Sequence, residues 1–516
     1  MTRADEETAR PVARARIAWR SLAVAGTLFA IFAAALAYVQ WGTASLADND
    51  GYYHMKMGWL MRQGGLKLDF IWLPLSILSR AHFYNHHMLY QAYLGLFAGD
   101  GSPQAMILGA KVASVIMPSM AFLAIWWLLR AQSLPWASLW AIALCAISDA
   151  FLYRMNQPRA QSLALLIMAL ALHWLLVRRY YMLLPLGFVF VWAYNAFPLI
   201  IVLAVAYAVA ALLTEGELAW RALLYPLIGV ALGLLFNPYF PENISFIISH
   251  ILPKVTDPTA TSVGNEWYPY QTWTLVGNSG GALVAWVCGV FALGWRGRRF
   301  DRAQLTAFGL SVIFGYLLFK SRRFIEYFPP FALIFAALSL SPLLRDPPQL
   351  GPRVSAWLQT RLGRAAIPAA LAALIIAMAA ITLPNARAAM VDSKPAATYA
   401  DASAWLIAHT APGSMIFQTD WDDFPRLFFY NSANIYTTGL DPTYMELYDA
   451  DLYRQWVDIT RGNVSNPAEL IGERFGAAYV ISDLEHAGFM RKAAADPQME
   501  EVYRDKFAVI YHIIGH

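Results

Sequence analysis

Long hydrophobic runs separated by short polar stretches dominate the first 384 residues of the 516-residue chain. A helix needs roughly 20 apolar residues to cross a bilayer, and eleven runs approach that length. The runs predict helices near 18–41, 105–129, 134–152, 161–178, 182–197, 198–214, 219–236, 272–295, 303–320, 325–344 and 365–384. The pattern therefore predicts a polytopic α-helical membrane protein with about 11 transmembrane helices.

The pattern changes after residue 384. ATYADASAWLIAHT and ELIGERF are typical of helices, whereas SMIFQT, ANIYTTG, AAYVIS and KFAVIYHII are short apolar runs typical of buried strands. The chain is thus predicted to divide into a transmembrane domain at 1–384 and a soluble α/β domain at 385–516. The second part is long enough to fold as a unit.

Composition supports a membrane protein. Hydrophobic residues make up 58% of the chain and charged residues 14%, whereas soluble proteins carry about 25% charged residues. The tail from Asn385 is acidic, with 10 Lys and Arg against 18 Asp and Glu, although the whole chain has a net charge of +4. Both cysteines lie in apolar runs, which argues against a disulfide framework or a cysteine metal site. We expect the lipid bilayer as a partner and no nucleic acid.

Arginines predict the orientation of these helices, because cytoplasmic loops of membrane proteins are enriched in Arg and Lys. A cytoplasmic N-terminus places Arg130, Arg178, Arg302 and Arg345 in the cytoplasm as well. An odd number of helices then places the acidic tail outside. We expect a multi-pass protein of the bacterial inner (plasma) membrane, with a cytoplasmic N-terminus and a periplasmic C-terminal domain.

Unusual polar stretches collect on the outer side of this topology. They are DNDGYYHMKMG at 48–58, HH at 86–87, YRMNQPRAQ at 153–161, SVGNEWYP at 262–269 and SRRFIEYFPP at 321–330. Charged residues at membrane depth are costly and indicate function. A carboxylate can act there as a general base or bind a divalent cation, and arginines can clamp a phosphate. The combination suits a substrate whose phosphate is attached to a lipid.

These stretches resemble motifs of the GT-C superfamily of integral-membrane glycosyltransferases, which use polyprenyl-phosphate sugar donors. DNDGYY looks like the acidic first-loop motif of that class, and SRRFIEYFPPFAL looks like its arginine-containing helix start. HHMLYQAYLGLF and FLYRMNQPRAQSLALL are similar to segments of lipid-linked mannosyl- and aminoarabinosyltransferases. SVGNEWYP and DWDDFPRLFFYNSANIYTTGLD resemble an external loop and the Trp-Asp motif of oligosaccharyltransferase catalytic subunits. The resemblance implies a GT-C-type glycosyltransferase that inverts the configuration at the anomeric carbon of the transferred sugar.

Candidate site residues follow from this chemistry and this resemblance. Asp50 is expected to deprotonate an acceptor hydroxyl, with Asp48 and Glu266 as further catalytic carboxylates. The predicted donor phosphate-binding residues are Arg323, Arg322, Arg159 and His87. The predicted contacts to the sugar or the acceptor are His54, Tyr53, His86, Trp421 and Asp422. Asp50 and Glu266 are also candidate ligands of a divalent metal, Mg or Mn, and the alternative is that no metal takes part.

Each assignment has a structural alternative. Asp50 would cap an interfacial helix well, and Asp48 and Asp422 would equally suit solvated loops. The arginines of the SRRF stretch, Arg323 included, would snorkel to the membrane interface. The aromatic neighbours of Glu266 would act as interfacial anchors.

Three functions compete at this point. The first is a glycosyltransferase that moves a sugar from a polyprenyl-phosphate or polyprenyl-diphosphate donor to a glycan, lipid or protein acceptor on the periplasmic face. The second is an oligosaccharyltransferase-like enzyme of protein glycosylation. For that enzyme the resemblance implies further carboxylates after the third helix, where this chain has Asn156, Gln157 and Arg159. The third is a transporter of lipid-linked sugars, which predicts internal repeats and ionisable residues near helix centres. No clear repeat is found, and the ionisable residues lie at helix ends.

Overall fold

A computed structural model of the chain describes residues 3–251, 264–296, 299–345, 356–357 and 360–515. The first two residues of the SVGNEWYP stretch, 262 and 263, lie outside the described residues. The helices before the tail are α1 Arg3–Gln40, α2 Asn49–Gly64, α3 Met88–Gly95, α4 Pro103–Ala131, α5 Ala137–Ile142, α6 Asp149–Met155, α7 Gln161–Leu176, α8 Leu183–Ala193, α9 Leu199–Glu215, α10 Trp220–Leu235, α11 Glu242–Phe246, α12 Thr272–Arg296, α13 Arg302–Lys320, α14 Phe328–Arg345 and α15 Arg361–Val391.

Helices long and apolar enough to cross a membrane occupy much of this part. Six such helices occur among the described residues: Trp19–Gln40, Pro103–Ala131, Thr272–Trp295, Arg302–Lys320, Phe328–Arg345 and Arg361–Val391. The shorter apolar helices α7 to α10 coincide with four other predicted segments. The chain is therefore a multi-pass helical membrane protein, and the count of eleven crossings stays a prediction.

The segment predicted as one helix at 134–152 is broken. Its halves, Ala137–Cys145 and Asp149–Met155, are bent by 84°. The Ser148 hydroxyl accepts a hydrogen bond from the Phe151 amide at 3.0 Å and so caps α6 as a new helix. This N-cap signal lies inside an apolar run, where hydropathy alone does not reveal it. The break turns α6 and the polar loop after it out of line with α5.

The tail folds around a five-stranded sheet. Its strands are β1 Met415–Gln418, β2 Ile435–Tyr436, β3 Tyr479–Asp483, β4 Met499–Arg504 and β5 Ala508–Ile513. The strand order is β2-β1-β3-β5-β4, with β1 parallel to β2 and β3 and with β5 antiparallel to β3 and β4. The helices of the tail are α16 Ala400–His409, α17 Phe424–Tyr430, α18 Thr443–Tyr448, α19 Ala450–Thr460, α20 Pro467–Leu470 and α21 Ala487–Ala495. The α/β prediction is confirmed, whereas β4 was missed because MEEVYR is largely polar.

Two short helices between α1 and α4, namely α2 and α3, cross at a pair of glycines. A Cβ atom at Gly58 would lie 2.3 Å from the Gln91 carbonyl oxygen, and a Cβ atom at Gly95 would lie 2.3 Å from the Gly58 carbonyl oxygen. Backbones can approach this closely only where both residues lack a side chain. The crossing buries most of α2 and fixes its side chains against α3.

Candidate active site

Helix α2 carries the first three residues of the site on one face. Asp50, Tyr53 and His54 are spaced three and four positions apart, and such residues lie side by side on a helix. All three line one cavity. The helix begins at Asn49, so Asp48 holds the N-cap position and makes no side-chain capping hydrogen bond there. Asp50 lies in the first turn, and its alternative interpretation as an N-cap is wrong.

A second close approach brings the loop after α6 against α2. A Cβ atom at Gly51 would lie 2.2 Å from Cγ of Pro158, so only glycine lets the two segments meet. The next residue of the loop, Arg159, then reaches Asp50, with Nη2 at 2.6 Å from Oδ2.

Arg159 contacts three carboxylates. Besides Asp50, its Nε lies 3.4 Å from Oδ2 of Asp48, and its Nη1 lies 3.2 Å from Oε2 of Glu266. Its side chain is 14% exposed. The guanidinium thus lies between the carboxylates at the start of α2 and the carboxylate of Glu266.

Glu266 joins this group to two further arginines. Arg154 Nη2 lies 2.9 Å from Glu266 Oε2, and Arg323 Nη1 lies 3.3 Å from Glu266 Oε1. Arg154 also donates from Nε to the fully buried Glu326 at 2.8 Å. The Ser321 hydroxyl donates to the Glu266 backbone carbonyl at 2.9 Å and connects the loop of Glu266 to the turn that carries Arg323.

Arg323 lies among aromatic groups on the cavity wall. Its Nη2 donates to the Tyr194 hydroxyl at 2.6 Å, and its guanidinium lies 4.9 Å from the centre of the Trp267 ring. Stacking of this kind holds an arginine without using all of its N–H donors. Arg323 therefore keeps a defined position while remaining able to bind an anion.

A histidine pair forms another part of the wall. The rings of His54 and His87 lie 4.6 Å apart, between centroids. Gln91 donates from Nε2 to Nδ1 of His54 at 3.1 Å, and Asn85 donates to Gln91 at 2.6 Å. Burial holds the pKa of both histidines well below the ordinary value, and nearby positive charge, including that of Arg159, acts in the same direction. Both rings are therefore neutral near pH 7.

The cavity brings together most of the predicted site. Eight of the twelve predicted residues line it: Asp50, Tyr53, His54, His86, His87, Arg159, Glu266 and Arg323. Asp48 reaches the cavity only through Arg159. Arg322 is directed elsewhere, with Nε donating to the Pro269 carbonyl at 3.3 Å and its guanidinium 5.3 Å from the Tyr270 ring.

Trp421 and Asp422, the predicted contacts from the tail, do not line the cavity. Trp421 packs against the hydrophobic core of the tail. Asp422 accepts a hydrogen bond from the Asn49 side chain at 2.8 Å. Asp441 and Tyr444 line the cavity instead, at the start of α18.

The tail also holds the start of α2 through a buried arginine. Arg426 donates from Nε to Oδ1 of Asn49 at 2.7 Å and lies 4.2 Å from the centre of the Tyr52 ring. Its other nitrogens donate to the carbonyls of Pro395 and Lys394 at 2.9 and 3.0 Å. The tail is thereby connected to the residue that precedes Asp50.

The pKa values of the two central carboxyl groups, Asp50 and Glu266, are shifted in opposite directions. Burial raises the pKa of Asp50 to about 7; Arg159 opposes the rise, and the carboxylates of Asp48 and Glu266 add to it. Burial alone would also raise the pKa of Glu266, but Arg159, Arg323 and Arg154 together hold it well below the usual range. Glu266 is therefore a fixed anion, whereas Asp50 exchanges a proton near neutral pH, as a general base does.

The donor set does not fit a divalent cation. No group of three or more His, Cys, Asp or Glu side chains is arranged to hold a metal in the part of the chain that the structure describes. The two candidate ligands, Asp50 and Glu266, both face the guanidinium of Arg159. A cation bound by both would face that positive charge as well.

Solved structures of membrane glycosyltransferases share this architecture. An oligosaccharyltransferase from Archaeoglobus fulgidus superposes with a TM-score of 0.65 at 14% identity, over 92% of this chain and 71% of that one. ArnT from Cupriavidus metallidurans, solved with undecaprenyl phosphate, has a TM-score of 0.55 at 16% identity, over 96% and 98% of the chains. The mycobacterial arabinofuranosyltransferase AftD has a TM-score of 0.53 at 14% identity, over 95% of this chain and 41% of that one.

The chain has the GT-C fold. No family model matches its sequence, and no curated protein matches it either. The likeness is therefore one of backbone architecture, and the chemistry has to be argued from the side chains of this chain.

Several residues of the site were missed at the sequence level. Arg154 and Glu326 lie inside quoted polar stretches, but nothing in the sequence shows that they pair. Tyr194 and Asn195 lie between two apolar helices, α8 and α9. Two adjacent polar residues between apolar runs were the sequence signal that could have identified them. Gln91 lies within an apolar run and carries no signal of its own.

Proposed function

We propose that this protein is a membrane glycosyltransferase. It transfers a sugar from a polyprenyl-phosphate-linked donor to an acceptor at the outer face of the membrane. One observation carries the proposal: a single cavity joins Asp50, a carboxylate that titrates near pH 7, to Arg323, an arginine held ready for an anion. The fold supports it, since similar proteins were solved with undecaprenyl phosphate and with dolichol-phosphate.

The proposed reaction is a direct displacement. Asp50 accepts the proton of the acceptor hydroxyl while that oxygen forms a bond to the anomeric carbon of the sugar. The bond from this carbon to the phosphate oxygen breaks, and the lipid phosphate leaves with the electron pair. Arg323 stabilises the charge that develops on the phosphate. Attack opposite the leaving group inverts the configuration at that carbon.

The remaining cavity residues are proposed to bind the substrates. His87, close to His54 and Tyr194, lies where it can donate to the donor phosphate. His54, Tyr53 and His86 are proposed to contact the sugar or the acceptor. Phosphate binding by Arg159 and Arg322 stays a prediction. Acceptor binding by Trp421 and Asp422 stays a prediction as well.

The acceptor-side wall is proposed to come from the tail. Asp441 and Tyr444 face the same cavity as Asp50, so an acceptor can lie between the tail and α2. The domain division at residue 384 stays a proposal, and α15 runs past it to Val391. A glycan, a lipid or a protein remains open as the acceptor. The peptide alternative is kept because an oligosaccharyltransferase has a TM-score of 0.65.

The proposed location is the bacterial inner membrane with the site on the periplasmic face. The predicted cytoplasmic arginines meet at one end of the helices: Arg302 and Arg345 line one cavity, and Arg178 and Arg302 both pair with Glu215. Arg130 contacts Ser21 near the start of the first spanning stretch, at 2.7 Å. The positive-inside rule supports a cytoplasmic position for this end. A reporter fused after His516 should then be active only if it is one that works in the periplasm.

The decisive experiment compares Asp50→Asn with wild type in a transfer assay. Purified protein in nanodiscs would receive a set of synthetic undecaprenyl-phosphate sugars, and release of free undecaprenyl phosphate would be followed by mass spectrometry. We expect release by wild type and a loss of roughly a hundredfold or more in Asp50→Asn, the scale for a general base. Asp69→Asn, at an exposed carboxylate paired with Arg80, is the matched control. Equal rates in wild type and Asp50→Asn would refute the proposed role of Asp50.

A further inference from the structure

Arg159 has contacts of the kind that a bound cation makes. Its three nitrogens approach three carboxylates from two distant segments of the chain: Nη2 approaches Asp50 at 2.6 Å, Nη1 approaches Glu266 at 3.2 Å and Nε approaches Asp48 at 3.4 Å. A divalent cation that bridges carboxylates gathers oxygen ligands from separate segments in the same way.

We infer that the guanidinium of Arg159 takes the place of a divalent cation in this site, so that the site binds and orients its substrates without Mg²⁺ or Mn²⁺. The inference deepens the proposed function, and its meaning for the reaction rests on that proposal. Whether the site holds a divalent cation does not depend on the proposed function, because it concerns only which positive charge neutralises Asp48, Asp50 and Glu266.

Charge balance supports the inference. Four carboxylates, those of Asp48, Asp50, Glu266 and Glu326, face three guanidinium groups, those of Arg154, Arg159 and Arg323, so the cluster has a net charge of −1 when all seven groups are ionised. A divalent cation would change the net charge of this cluster from −1 to +1, beside three arginines that already lie against the carboxylates. Mg²⁺ also requires about six oxygen ligands at about 2.0–2.1 Å. The oxygens of Asp50 and Glu266 that face Arg159 already lie 2.6 and 3.2 Å from its nitrogens.

Geometry supports it as well. Arg159 follows Pro158, whose ring packs against Gly51 and leaves no room for a Cβ atom there. The backbone that carries the guanidinium is thus fixed beside the backbone that carries Asp50. The ion pair uses Oδ2 of Asp50, which leaves Oδ1 as the oxygen for the acceptor proton. A cation built into the chain can therefore orient the base in every molecule, whatever the metal concentration.

The test is a titration of the purified full-length protein with MnCl₂, with free Mn²⁺ read by electron paramagnetic resonance. Wild type should show no site that depends on Asp50, so wild type and Asp50→Asn should give the same curve. Arg159→Ala should gain one Mn²⁺ site, and adding Asp50→Asn to it should weaken that site at least about tenfold. Arg504→Ala, which frees the exposed Glu501 from its ion pair, should gain none.

Every outcome of the titration supports or overturns the inference. A Mn²⁺ site in wild type that Asp50→Asn removes would overturn it, and this comparison needs no arginine variant to fold. A folded Arg159→Ala protein without a new site would also overturn it. Arg159→Lys should stay free of Mn²⁺, because the charge is retained. If the protein transfers sugar from none of the lipid-linked donors, the proposed function is wrong. The titration still shows whether Arg159 takes the place of a divalent cation.

Discussion

Gln91 donates a hydrogen bond to Nδ1 of His54 at 3.1 Å, and this bond sets the proton position on the imidazole ring. The side-chain nitrogen of glutamine is only a donor, so Nδ1 has to be the acceptor. The amide orientation is fixed in turn by Asn85, which donates to the Gln91 oxygen at 2.6 Å. A neutral His54 therefore carries its proton on Nε2.

Gln91→Glu should reverse the proton position on His54. A carboxylate at this position accepts from Nδ1–H, so the ring would either change tautomer or take up a second proton at a higher pH. If the His54 ring no longer donates to the sugar or the acceptor, the unpaired group costs roughly 1–3 kcal/mol, which predicts a fall in transfer of about fivefold to 150-fold. Nitrogen-15 spectra of histidine-labelled protein would report the tautomer. The control Gln104→Glu, at an exposed glutamine, should change neither the His54 spectrum nor the transfer rate. An unchanged His54 spectrum in Gln91→Glu would contradict the tautomer assignment.

The rate of transfer should rise with pH through the titration of Asp50. Burial raises the pKa of this carboxyl to about 7, and only the deprotonated form accepts a proton. Activity should therefore be low at pH 5 and reach a plateau above about pH 8. Arg159 lowers this pKa, so Arg159→Gln should move the acidic limb to higher pH by about one unit or more.

Steady-state rates from pH 5 to 9 would test this sign directly. Arg504→Gln is a suitable control, because Arg504 pairs with Glu501 on the surface of the tail. A limb that moves to lower pH in Arg159→Gln would contradict the assignment of the titrating group to Asp50.

Gly51→Ala should impair the site although alanine favours helices. The new Cβ atom would lie 2.2 Å from Pro158 Cγ, and a proline ring cannot swing aside. Overpacking of this kind costs about 1–3 kcal/mol, and it should separate Asp50 from Arg159. We expect a lower melting temperature and a loss of transfer. In Gly64→Ala, in the same helix, the new Cβ atom meets only a flexible Leu68 methyl group at 3.3 Å. This variant should retain the wild-type melting temperature and transfer activity. Equal behaviour of the two variants would argue against a tight contact at Gly51.

Arg323→Ala should weaken binding of the donor, and Arg323→Lys should restore it only in part. The guanidinium bonds Tyr194 and Glu266 while facing the Trp267 ring, and a lysine offers a point charge without this planar geometry. Binding of undecaprenyl phosphate, measured by native mass spectrometry, should fall about tenfold or more in Arg323→Ala. A lysine variant that bound like wild type would favour an arginine that merely reaches the membrane interface.

Hydropathy predicted the architecture well because the bilayer imposes a length on each apolar run. The helix predicted at 105–129 is observed at Pro103–Ala131, and the helix predicted at 272–295 is observed at Thr272–Arg296. The bend between Cys145 and Asp149 was missed, because a capping serine inside an apolar segment does not change its mean hydropathy.

The candidate site was predicted where charge conflicts with the membrane environment. Asp50, Glu266 and Arg323 stood out for this reason, and they share one cavity in the structure. Pairing was not predictable, because Arg159 meets Asp50 only through the contact of Pro158 with Gly51. Gln91 was missed for a related reason: its role depends on the crossing of α2 and α3 and on no local pattern.

The contact of Arg426 with Asn49 has a consequence for the ancestry and engineering of this protein. The arginine belongs to the tail and the asparagine to the start of α2, 377 positions earlier. A tail grafted from another enzyme would bring a different partner to Asn49 and leave a partly buried amide unmatched. The two segments therefore have to be inherited or exchanged together, so a working chimera must take residues 48–58 from the same parent as its tail.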